Sequence, residues 1–440
     1  MLKVAKFGGS SLAGAKQFEK VKAIIKADTT RRIVVVSAVG KRNSDDHKIT
    51  DLLYLCHAHL TYGVSYEDIF TVIEKRFYEI RNQLGLKFDL ESEFSHLRSE
   101  MNRDIPLDYL ASRGEYLTAR LMAEYLGYEF LDSSDCIFFT YEGQFDLEKI
   151  NSTFEEHFGD NTKVVIPGFY GCLPNGKIRV MSRGGSDITG ALLASAATAD
   201  IYENWTDVSG ILMADPKIVD HPKPIQRITY SELRELAYMG ASVLHEESIL
   251  PVKVKNIGLN IRNTNEPENP GTMILDHFEE EIASEKQRFI TGIAGRKSFI
   301  VLTLYKEHIA TDPSIIRKAL EIFENNRIGI EHITTGIDSF TLVVSNALIG
   351  DRLYDILSDL KKHCSPDSIK TEENIALVAA VGRKMADHPG VAGQLFNALG
   401  QHHINIRSIA QGTNEISIVV GVNNSDYERA IVILYDSFVG

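Results

Sequence analysis

Apolar residues in the first forty positions follow the pattern of a strand, a helix and a second strand. Residues 2–7 alternate loosely and end at two glycines. The next segment carries one helical stripe of apolar side chains, formed by Phe18, Val21, Ile24 and Ile25. Residues 33–38 are a β-branched run of the kind found in buried parallel strands. The chain therefore begins with a βαβ unit, which indicates an α/β domain.

Helical periodicity dominates residues 51–126, where three apolar stripes follow one another. Short strand patterns return further along the chain, at 164–168, 178–182 and 201–204. An Ala-rich helix is expected between the last two strands, from 187 to 198. The charged segment 276–288 has few apolar residues and is typical of a connector.

The pattern changes to a repeat beyond residue 288. A first βαββαβ order is predicted at 299–305, 313–325, 329–335, 339–344, 350–363 and 368–371. The order recurs one strand short, at 375–381, 389–402, 404–410, 415–422 and 425–438. A further strand at 289–294 precedes the first copy and is expected to supply the missing edge. We infer two interleaved ferredoxin-like modules.

Length and charge narrow the class of protein. A chain of 440 residues with 44% hydrophobic and 24% charged residues predicts a globular protein of two or three domains. A formal charge of −13 argues against nucleic acid as the main partner. The N-terminus lacks the pattern of a signal peptide, and the strongest apolar run, 33–39, is too short to span a membrane. A cytoplasmic enzyme or sensor with reduced cysteines is expected.

The first candidate for chemistry is the segment 6–11, Lys-Phe-Gly-Gly-Ser-Ser. Its spacing differs from a P-loop, but the physical logic is similar. Two glycines let the backbone approach an oligophosphate, the following helix offers free N–H groups, and Lys6 supplies a positive charge. The alternative is a tight strand-to-helix turn with a surface lysine.

The second candidate is the segment 182–190, where a strand again ends in glycines before a helix of small residues. Ser186 or Asp187 is the expected N-cap of that helix. A cap alone would not require Arg183 and two glycines just upstream. Two such helix starts in one α/β domain favour a ligand with several anionic groups.

Three further segments are weaker signals when each is taken alone. Residues 48–51 and 112–115 contain a threonine and carboxylates that could simply stabilise helix starts. Residues 204–210, with 214–217 shortly after them, follow a strand and should line the edge of the sheet where α/β proteins bind ligands. That segment holds the only tryptophan, Trp205, which packing alone would explain.

Taken together, these segments resemble the aspartokinases of the amino-acid kinase fold. The matching motifs are KFGGSS at 6–11, KITDLL at 48–53, SRGE at 112–115, SRGGSD at 182–187, TDVSGI at 206–211, DPK at 215–217 and NTNEPENPGT at 263–272. The C-terminal half resembles the paired ACT domains of that family. The chain departs from some family members at Asn265 and Leu212, near the implied nucleotide site.

The resemblance implies an α/β fold: a carbamate kinase-like sandwich with a central, mostly parallel sheet, followed by two ferredoxin-like ACT modules. The implied domains are a catalytic domain at 1–285, a first ACT module with its leading strand at 286–372, and a second, interleaved module at 373–440. The implied activity is ATP-dependent phosphorylation of the side-chain carboxylate of L-aspartate, the first step of lysine, threonine and methionine biosynthesis.

Residue roles follow from the matched motifs only. The implied catalytic residues are Lys6, Asp187 and Arg183. The implied substrate-binding residues are Thr50, Glu115, Arg183 and Ser186. The implied ATP-binding residues are Lys6, Gly8, Gly9, Ser10, Thr206, Asp207, Asp215 and Lys217. Asp187 is expected to orient Lys6 rather than to act as a base, because the aspartate carboxylate is already ionised at pH 7. No carboxylate cluster indicates a dedicated metal site, so Mg²⁺ is expected to arrive with ATP.

The ACT modules imply allosteric control by an amino acid, lysine or threonine, and a homodimer formed through their sheets, with a tetramer left open. Candidate effector contacts are Asp312, Ser314, Ile330, Glu331 and Gln411. The alternative is that one or both modules serve dimerisation only.

Two rival functions stay open at this point. One is a kinase for another small acid, such as glutamate or acetylglutamate. The other is a catalytically silent amino-acid sensor, which would be expected to have lost Lys6 or Asp187.

Overall fold

The computed structural model describes residues 1–159, 162–182, 184–241, 249–279, 289–309, 313–412 and 415–440. The chain divides into two compact units. The first comprises Met1–Ile211, Pro224–Tyr230 and Val243–Phe278, and the second Leu212–Lys223, Ser231–Ser242 and Glu279–Gly440. The domain boundary expected at 285 lies outside the described residues, so the division at 285 and 372 stays a prediction.

An eight-stranded sheet forms the centre of the first unit, in the order β10-β12-β11-β7-β1-β2-β4-β3. Its strands are β1 (Lys3–Phe7), β2 (Arg31–Val36), β3 (Glu129–Phe130), β4 (Val164–Pro167), β7 (Ile201–Thr206), β10 (Arg227–Thr229), β11 (Gly258–Asn263) and β12 (Thr272–Leu275). Only β11 and β12 pair antiparallel, so the predicted mostly parallel sheet is confirmed. Two small ladders join β5 (Tyr170–Cys172) to β6 (Ile178–Val180) and β8 (Ile211–Leu212) to β9 (Pro224–Ile225).

Helices cover both faces of this sheet. The helices of the first unit are α1 (Ala15–Ala27), α2 (Ile49–Tyr62), α3 (Glu67–Leu84), α4 (Leu90–Glu100), α5 (Leu107–Leu126), α6 (Leu147–His157), α7 (Gly185–Ala196) and α9 (Leu250–Val254), whereas α8 (Tyr230–Tyr238) belongs mainly to the second unit. Ala5 and Phe7 of β1 enter one core with α1 to α5, while the side chain of Lys6 lies on the opposite face, beside α7. The period-2 alternation of β1 therefore separates the core from the functional face.

A buried ion cluster holds four strands of the sheet together. Glu203 of β7 is 2% exposed and accepts two hydrogen bonds from the guanidinium of Arg31, at 2.7 and 3.1 Å. The indole N–H of Trp205 donates to the same carboxylate at 2.9 Å. Lys3 of β1 and Arg262 of β11 lie 3.5 and 3.9 Å from it. Removing the carboxylate would leave Arg31 with only the more distant Asp28, at 3.9 Å, as a counter-charge among the described residues.

We therefore expect Glu203→Gln to lower the free energy of unfolding of the first unit by roughly 3–5 kcal/mol, the usual cost of breaking a buried ion pair. Urea denaturation followed by the fluorescence of Trp205, the only tryptophan, reports on this unit. Glu129→Gln, at an exposed position of β3 in the same sheet, is the matched control. Equal denaturation midpoints for the two variants would contradict the assignment.

The second unit is built on a six-stranded antiparallel sheet in the order β14-β15-β13-β16-β18-β17. Its strands are β13 (Gly292–Tyr305), β14 (Ile330–Thr335), β15 (Ser339–Ser345), β16 (Ser368–Val381), β17 (Ser408–Gln411) and β18 (Ser417–Asn423). Its later helices are α10 (Pro313–Asn325), α11 (Asn346–Ile349), α12 (Leu353–Cys364), α13 (Val391–Gln401) and α14 (Tyr427–Val439).

The two central strands are longer than the sequence predicts. The strands expected at 289–294 and 299–305 form one strand, β13, and those expected at 368–371 and 375–381 form one strand, β16. In both strands, polar residues interrupt the apolar pattern at the positions where the pairing register between β13 and β16 shifts. Ser298 and Asn374 adopt left-handed backbone, with φ of 70° and 59°. The interruption is a bulge-like kink and does not end the strand.

This continuity connects the two modules through shared strands. The first half of β13, from Gly292 to Arg296, pairs with residues 377–381 of β16 and completes the four strands of the second module. The second half pairs with residues 368–375 and with β15 in the first module. Each module therefore contains part of a strand that also belongs to the other.

Helix α8 contributes to this second unit through a buried carboxylate. Glu232 is fully buried and accepts from the Thr291 hydroxyl at 2.6 Å, from the Arg383 amide at 2.8 Å and from its guanidinium at 3.1 Å. Nearby, Glu235 accepts from the hydroxyl of Ser417 at 2.9 Å.

Within the described residues, none of the helices has the length and apolar character needed to cross a membrane.

Candidate active site

A cleft of about 880 Å³ opens at the edge of the first unit's sheet where β1, β2 and β7 end. Ten of the predicted site residues line it: Lys6, Gly8, Gly9, Ser10, Thr50, Glu115, Ser186, Asp187, Thr206 and Asp207. Arg183 lies outside the described residues, but its neighbours Ser182 and Gly184 line the same cleft. Asp215 and Lys217 belong to the second unit, so their nucleotide-binding role stays a prediction.

The first glycine turn is held tightly against its neighbours. The amide of Gly8 donates to the carbonyl of Trp205 at 3.0 Å, and a 3-10 turn, Gly9–Leu12, precedes α1. The amide of Gly40 donates to the carbonyl of Gly9 at 3.0 Å. A Cβ atom at Gly40 would lie 2.3 Å from backbone atoms of Gly9, so only glycine fits there.

The second glycine turn differs from the prediction in its cap. Helix α7 begins at Gly185, and Gly184 precedes it in left-handed backbone with a φ of 83°. The expectation that Ser186 or Asp187 is the N-cap is therefore wrong, because Gly184 makes the turn two to three residues earlier. Both side chains lie in the first helical turn, where the helix dipole favours the negative charge of Asp187.

The two turns meet at an ion pair. Lys6 is 7% exposed, and its Nζ lies 2.5 Å from Oδ1 of Asp187. Asn204 donates its amide to the same oxygen at 2.9 Å and accepts from Lys6 at 3.4 Å. The parallel register of β1 and β7 places Lys6 directly beside Asn204. Sequence reasoning assigned no role to Asn204, although it opens the segment 204–210 that the sequence singled out.

The most unusual electrostatic environment in the cleft is that of Glu115 on α5. The side chain is 4% exposed, and its Oε2 atom has no hydrogen-bond partner among the described residues. Burial raises the pKa of the Glu115 carboxyl to about 8, and a hydrogen bond from the backbone of Ala38 opposes this only in part. A buried carboxylate of this kind is suited to receive a cationic group from a ligand.

Other polar residues connect the rim of the cleft. The hydroxyl of Thr206 donates to Asp207 at 3.1 Å. The hydroxyls of Ser11 and Thr264 lie 2.7 Å apart, and the amide of Thr264 donates to the carbonyl of Thr206 at 2.8 Å. Asn265 is one of the two residues at which the chain departs from the family pattern. Its side chain accepts a hydrogen bond from Nζ of Lys20 at 2.8 Å.

The effector candidates are spread over the second unit. Ile330 and Glu331 lie on β14, one edge of the six-stranded sheet, and Gln411 lies on β17, the opposite edge. The Glu331 side chain is 8% exposed, with Oε1 3.4 Å from Arg296 and Oε2 unpaired among the described residues. Ser314 is in the first turn of α10, and Asp312 lies outside the described residues. Within one chain, Gln411 therefore lies at the opposite edge of the sheet from Ile330 and Glu331.

Comparison with known proteins identifies the family. The model of the amino acid kinase family matches residues 1–263, and an ACT domain model matches residues 378–438. Aspartokinase 3 of Bacillus subtilis (strain 168) is 31% identical over 452 aligned positions, covering 99% of this chain and 98% of that protein. This chain belongs to the aspartokinases of the amino acid kinase family.

Solved aspartokinase structures agree with this. The crystal structure of Clostridium acetobutylicum aspartate kinase matches with a TM-score of 0.90 and 45% identity and covers 99% of both chains. Two structures of Escherichia coli aspartokinase III, each at 25% identity, a TM-score of 0.75 and full coverage, hold aspartate with ADP in an R-state and lysine with aspartate in a T-state. The predicted fold class and the prediction of an aspartate kinase are confirmed.

Glu115 should make the stability of this aspartokinase depend on pH. The folded chain binds one more proton than the unfolded chain between the ordinary glutamate pKa of 4.5 and the raised pKa of about 8. The contribution of Glu115 to stability therefore falls as pH rises through this window, by at most about 1.4 kcal/mol per pH unit. It should be constant above pH 8 and below pH 4.5.

The free energy of unfolding is measured by urea denaturation at pH 5.5, 6.5 and 7.5, for the ligand-free natural chain and for Glu115→Gln. The variant should gain stability relative to the natural chain as pH rises. Glu129→Gln, at an exposed site, should show no such trend. A constant difference between Glu115→Gln and the natural chain would refute the raised pKa.

Proposed function

We propose that the cleft transfers the γ-phosphoryl group of MgATP to the side-chain carboxylate of L-aspartate, giving 4-phospho-L-aspartate. The observation that carries this assignment is the buried Glu115 carboxylate, which lines the same cleft as Lys6 and both glycine turns. The cleft thus offers a negative site for an ammonium group and a positive, amide-rich site for phosphates. An amino acid and a nucleotide triphosphate are the ligands that fit such a pair.

At the substrate end, Glu115 receives the α-ammonium group of aspartate. Pairing with this cation compensates the cost of burying the carboxylate and shifts Glu115 to its ionised form. Thr50 and Ser186 line the same region and supply hydroxyl groups. Arg183 is assigned to the α-carboxylate as a bidentate donor, on the basis of its place in the matched motif.

At the phosphate end, positive charge and positioning carry the reaction. An ionised carboxylate needs no general base, but it must approach a polyanion in line. Lys6 neutralises the transferring phosphoryl group, and Gly8, Gly9 and Ser10 offer backbone donors. Asp187 and Asn204 hold the ammonium of Lys6 in place through contacts of 2.5 and 3.4 Å.

The nucleotide is assigned to the rim formed by Thr206 and Asp207, which line the cleft. Asp215 and Lys217 are proposed as further nucleotide contacts, on the basis of the matched motif alone. Mg²⁺ is assigned to the substrate MgATP, where it would lower the repulsion between the phosphates and the incoming carboxylate.

Formation of an acyl phosphate tests the proposal directly. Hydroxylamine should trap a hydroxamate when the chain is supplied with MgATP and L-aspartate, and Lys6→Ala should reduce the rate by about 10²-fold or more, because the charge on the transferred phosphoryl group is no longer neutralised. Lys26→Ala, at an exposed position on α1, should leave the rate unchanged. Loss of folding with unaltered turnover per folded molecule would contradict the role of Lys6.

The same assay separates the rival functions. A kinase for glutamate or acetylglutamate would give hydroxamate with those acids in preference to aspartate, and a silent sensor would give none with any acid. Retention of both Lys6 and Asp187 in a mutual contact of 2.5 Å favours an active enzyme.

We propose further that the second unit senses lysine or threonine and that the enzyme serves the cytoplasmic synthesis of lysine, threonine and methionine. The edge strand β14 carries an exposed apolar residue, Ile333, at 47%, and the opposite edge strand β17 carries Ile409 at 51%. Unpaired strand edges with apolar residues are suited to pairing with a second copy. This supports a homodimer through the ACT sheet, with assembly to a tetramer left open.

Of the effector candidates, Glu331 offers the best physical argument. Its buried, unpaired Oε2 atom would accept a hydrogen bond from an ammonium group. We expect Glu331→Gln to raise the concentration of lysine or threonine needed for half-maximal inhibition about tenfold or more, because a charge-assisted hydrogen bond is lost. Inhibition curves in the hydroxamate assay measure this, with Glu324→Gln on the exposed face of α10 as control. An unchanged inhibition curve would remove Glu331 from the effector site.

A further inference from the structure

A loop to which the sequence motifs assign no role, apart from Lys48 at its end, forms one wall of the cleft. The strap loop, residues 40–48, leaves the end of β2 and returns to α2, and its base is closed by a hydrogen bond of 3.2 Å from the Ile49 amide to the Val39 carbonyl. Residues 40–43 and Lys48 line the cleft. The loop is thus part of the same cavity as Lys6.

One buried arginine fixes the shape of this loop. Arg76 of α3 is 3% exposed, and its guanidinium donates to the carbonyls of His47 at 2.6 Å and Gly40 at 2.5 Å, one at each end of the loop. The same group reaches the carbonyl of Ala13 at 3.5 Å and lies 3.4 Å from Asp46. A single cation therefore ties the strap loop to the segment that follows the first glycine turn.

The loop is also in direct contact with the first glycine turn. Gly40 donates to the carbonyl of Gly9, and the two backbones approach too closely to admit a side chain at position 40. The strap loop therefore lies directly against the turn that carries Gly9 and Ser10.

The strap loop contributes most of the basic side chains that line the cleft. Among the described residues that line the cleft, the basic side chains are Lys6, Lys41, Arg42 and Lys48. Lys6 is paired with Asp187, and Arg42 is paired with Asp46 at 2.9 Å and Glu79 at 3.2 Å. Lys41 and Lys48 are exposed and have no acidic partner within 4 Å in the described part of the chain.

We propose that the strap loop is a third phosphate-binding element of the cleft, in which Lys41 and Lys48 contact the phosphates of MgATP and Arg76 is a positioning residue that holds them there. This inference rests on the proposed function. The triphosphate brings several negative charges into a cleft whose described lining also contains Asp51, Glu115, Asp187 and Asp207. Lys6 is already paired with Asp187, so the two lysines of the strap loop add positive charge that no carboxylate among the described residues neutralises.

Binding of Mg-AMP-PNP, a non-hydrolysable analogue of MgATP, tests the two lysines without turnover. Isothermal titration calorimetry should show that Lys41→Ala/Lys48→Ala raises the Kd for Mg-AMP-PNP about tenfold or more, while the Kd for adenosine changes less than about twofold. Lys26→Ala/Lys177→Ala removes two exposed lysines outside the cleft and should leave both constants unchanged. Equal Kd values for the two double variants would overturn the proposal.

The role of Arg76 has a separate readout. Arg76→Lys keeps a positive charge, but its single nitrogen cannot reach both the His47 carbonyl, which Nη1 contacts, and the Gly40 carbonyl, which Nη2 contacts, so it should also weaken Mg-AMP-PNP binding. Because it acts through the lysines, it should weaken binding much less in the Lys41→Ala/Lys48→Ala background. An equal effect in both backgrounds would show a general structural role and would exclude positioning.

Failure of this inference can be told apart from failure of the proposed function. A natural chain that forms no hydroxamate with any acid contradicts the kinase reaction, whatever the binding constants are. A natural chain that forms the hydroxamate but binds Mg-AMP-PNP independently of Lys41 and Lys48 contradicts the strap loop alone.

Discussion

The contact between Lys6 and Asp187 is the interaction on which the catalytic unit depends. It joins the central strand β1 to the first turn of α7, and so it brings two glycine turns to one cavity. Two anions have to react in that cavity, and water cannot screen them once the cleft is filled. The fold meets this difficulty by placing a buried, fixed cation at the junction rather than a mobile one on the surface.

Local sequence patterns were sufficient for most elements. Apolar stripes and β-branched runs located the βαβ start and the ACT repeat, since helix and strand periodicity depend on near neighbours only. The glycine turns were recognised from glycines that lie between a strand and a helix, whereas Glu115 received a role only because its motif matches a family. Those signals placed ten predicted residues around one cleft.

The remaining features depend on contacts that are distant in sequence. Asn204 is a neighbour of Lys6 only through the register of two strands about 200 positions apart. The sequence shows Arg76 only as an arginine in a helix, because the carbonyls of Gly40 and His47 contact it only in the folded chain. In the sequence, the polar residues Ser298 and Asn374 interrupt an apolar run and therefore resemble the end of a strand. The sequence does not show that pairing with the neighbouring strand continues on both sides of these residues. Gly184 replaced the predicted side-chain cap for a similar reason, since backbone handedness is not visible in a residue pattern.

The long strands of the regulatory sheet have a consequence for how that half of the chain can be divided. Since β13 and β16 each serve both modules, neither repeat is an autonomous folding unit. Cutting the polypeptide between residues 296 and 299 would deprive the second repeat of an outer strand and leave the apolar edge of β16 bare. Evolutionary loss or exchange of one repeat would meet the same obstacle, so the two are expected to be inherited, and to melt, as a pair.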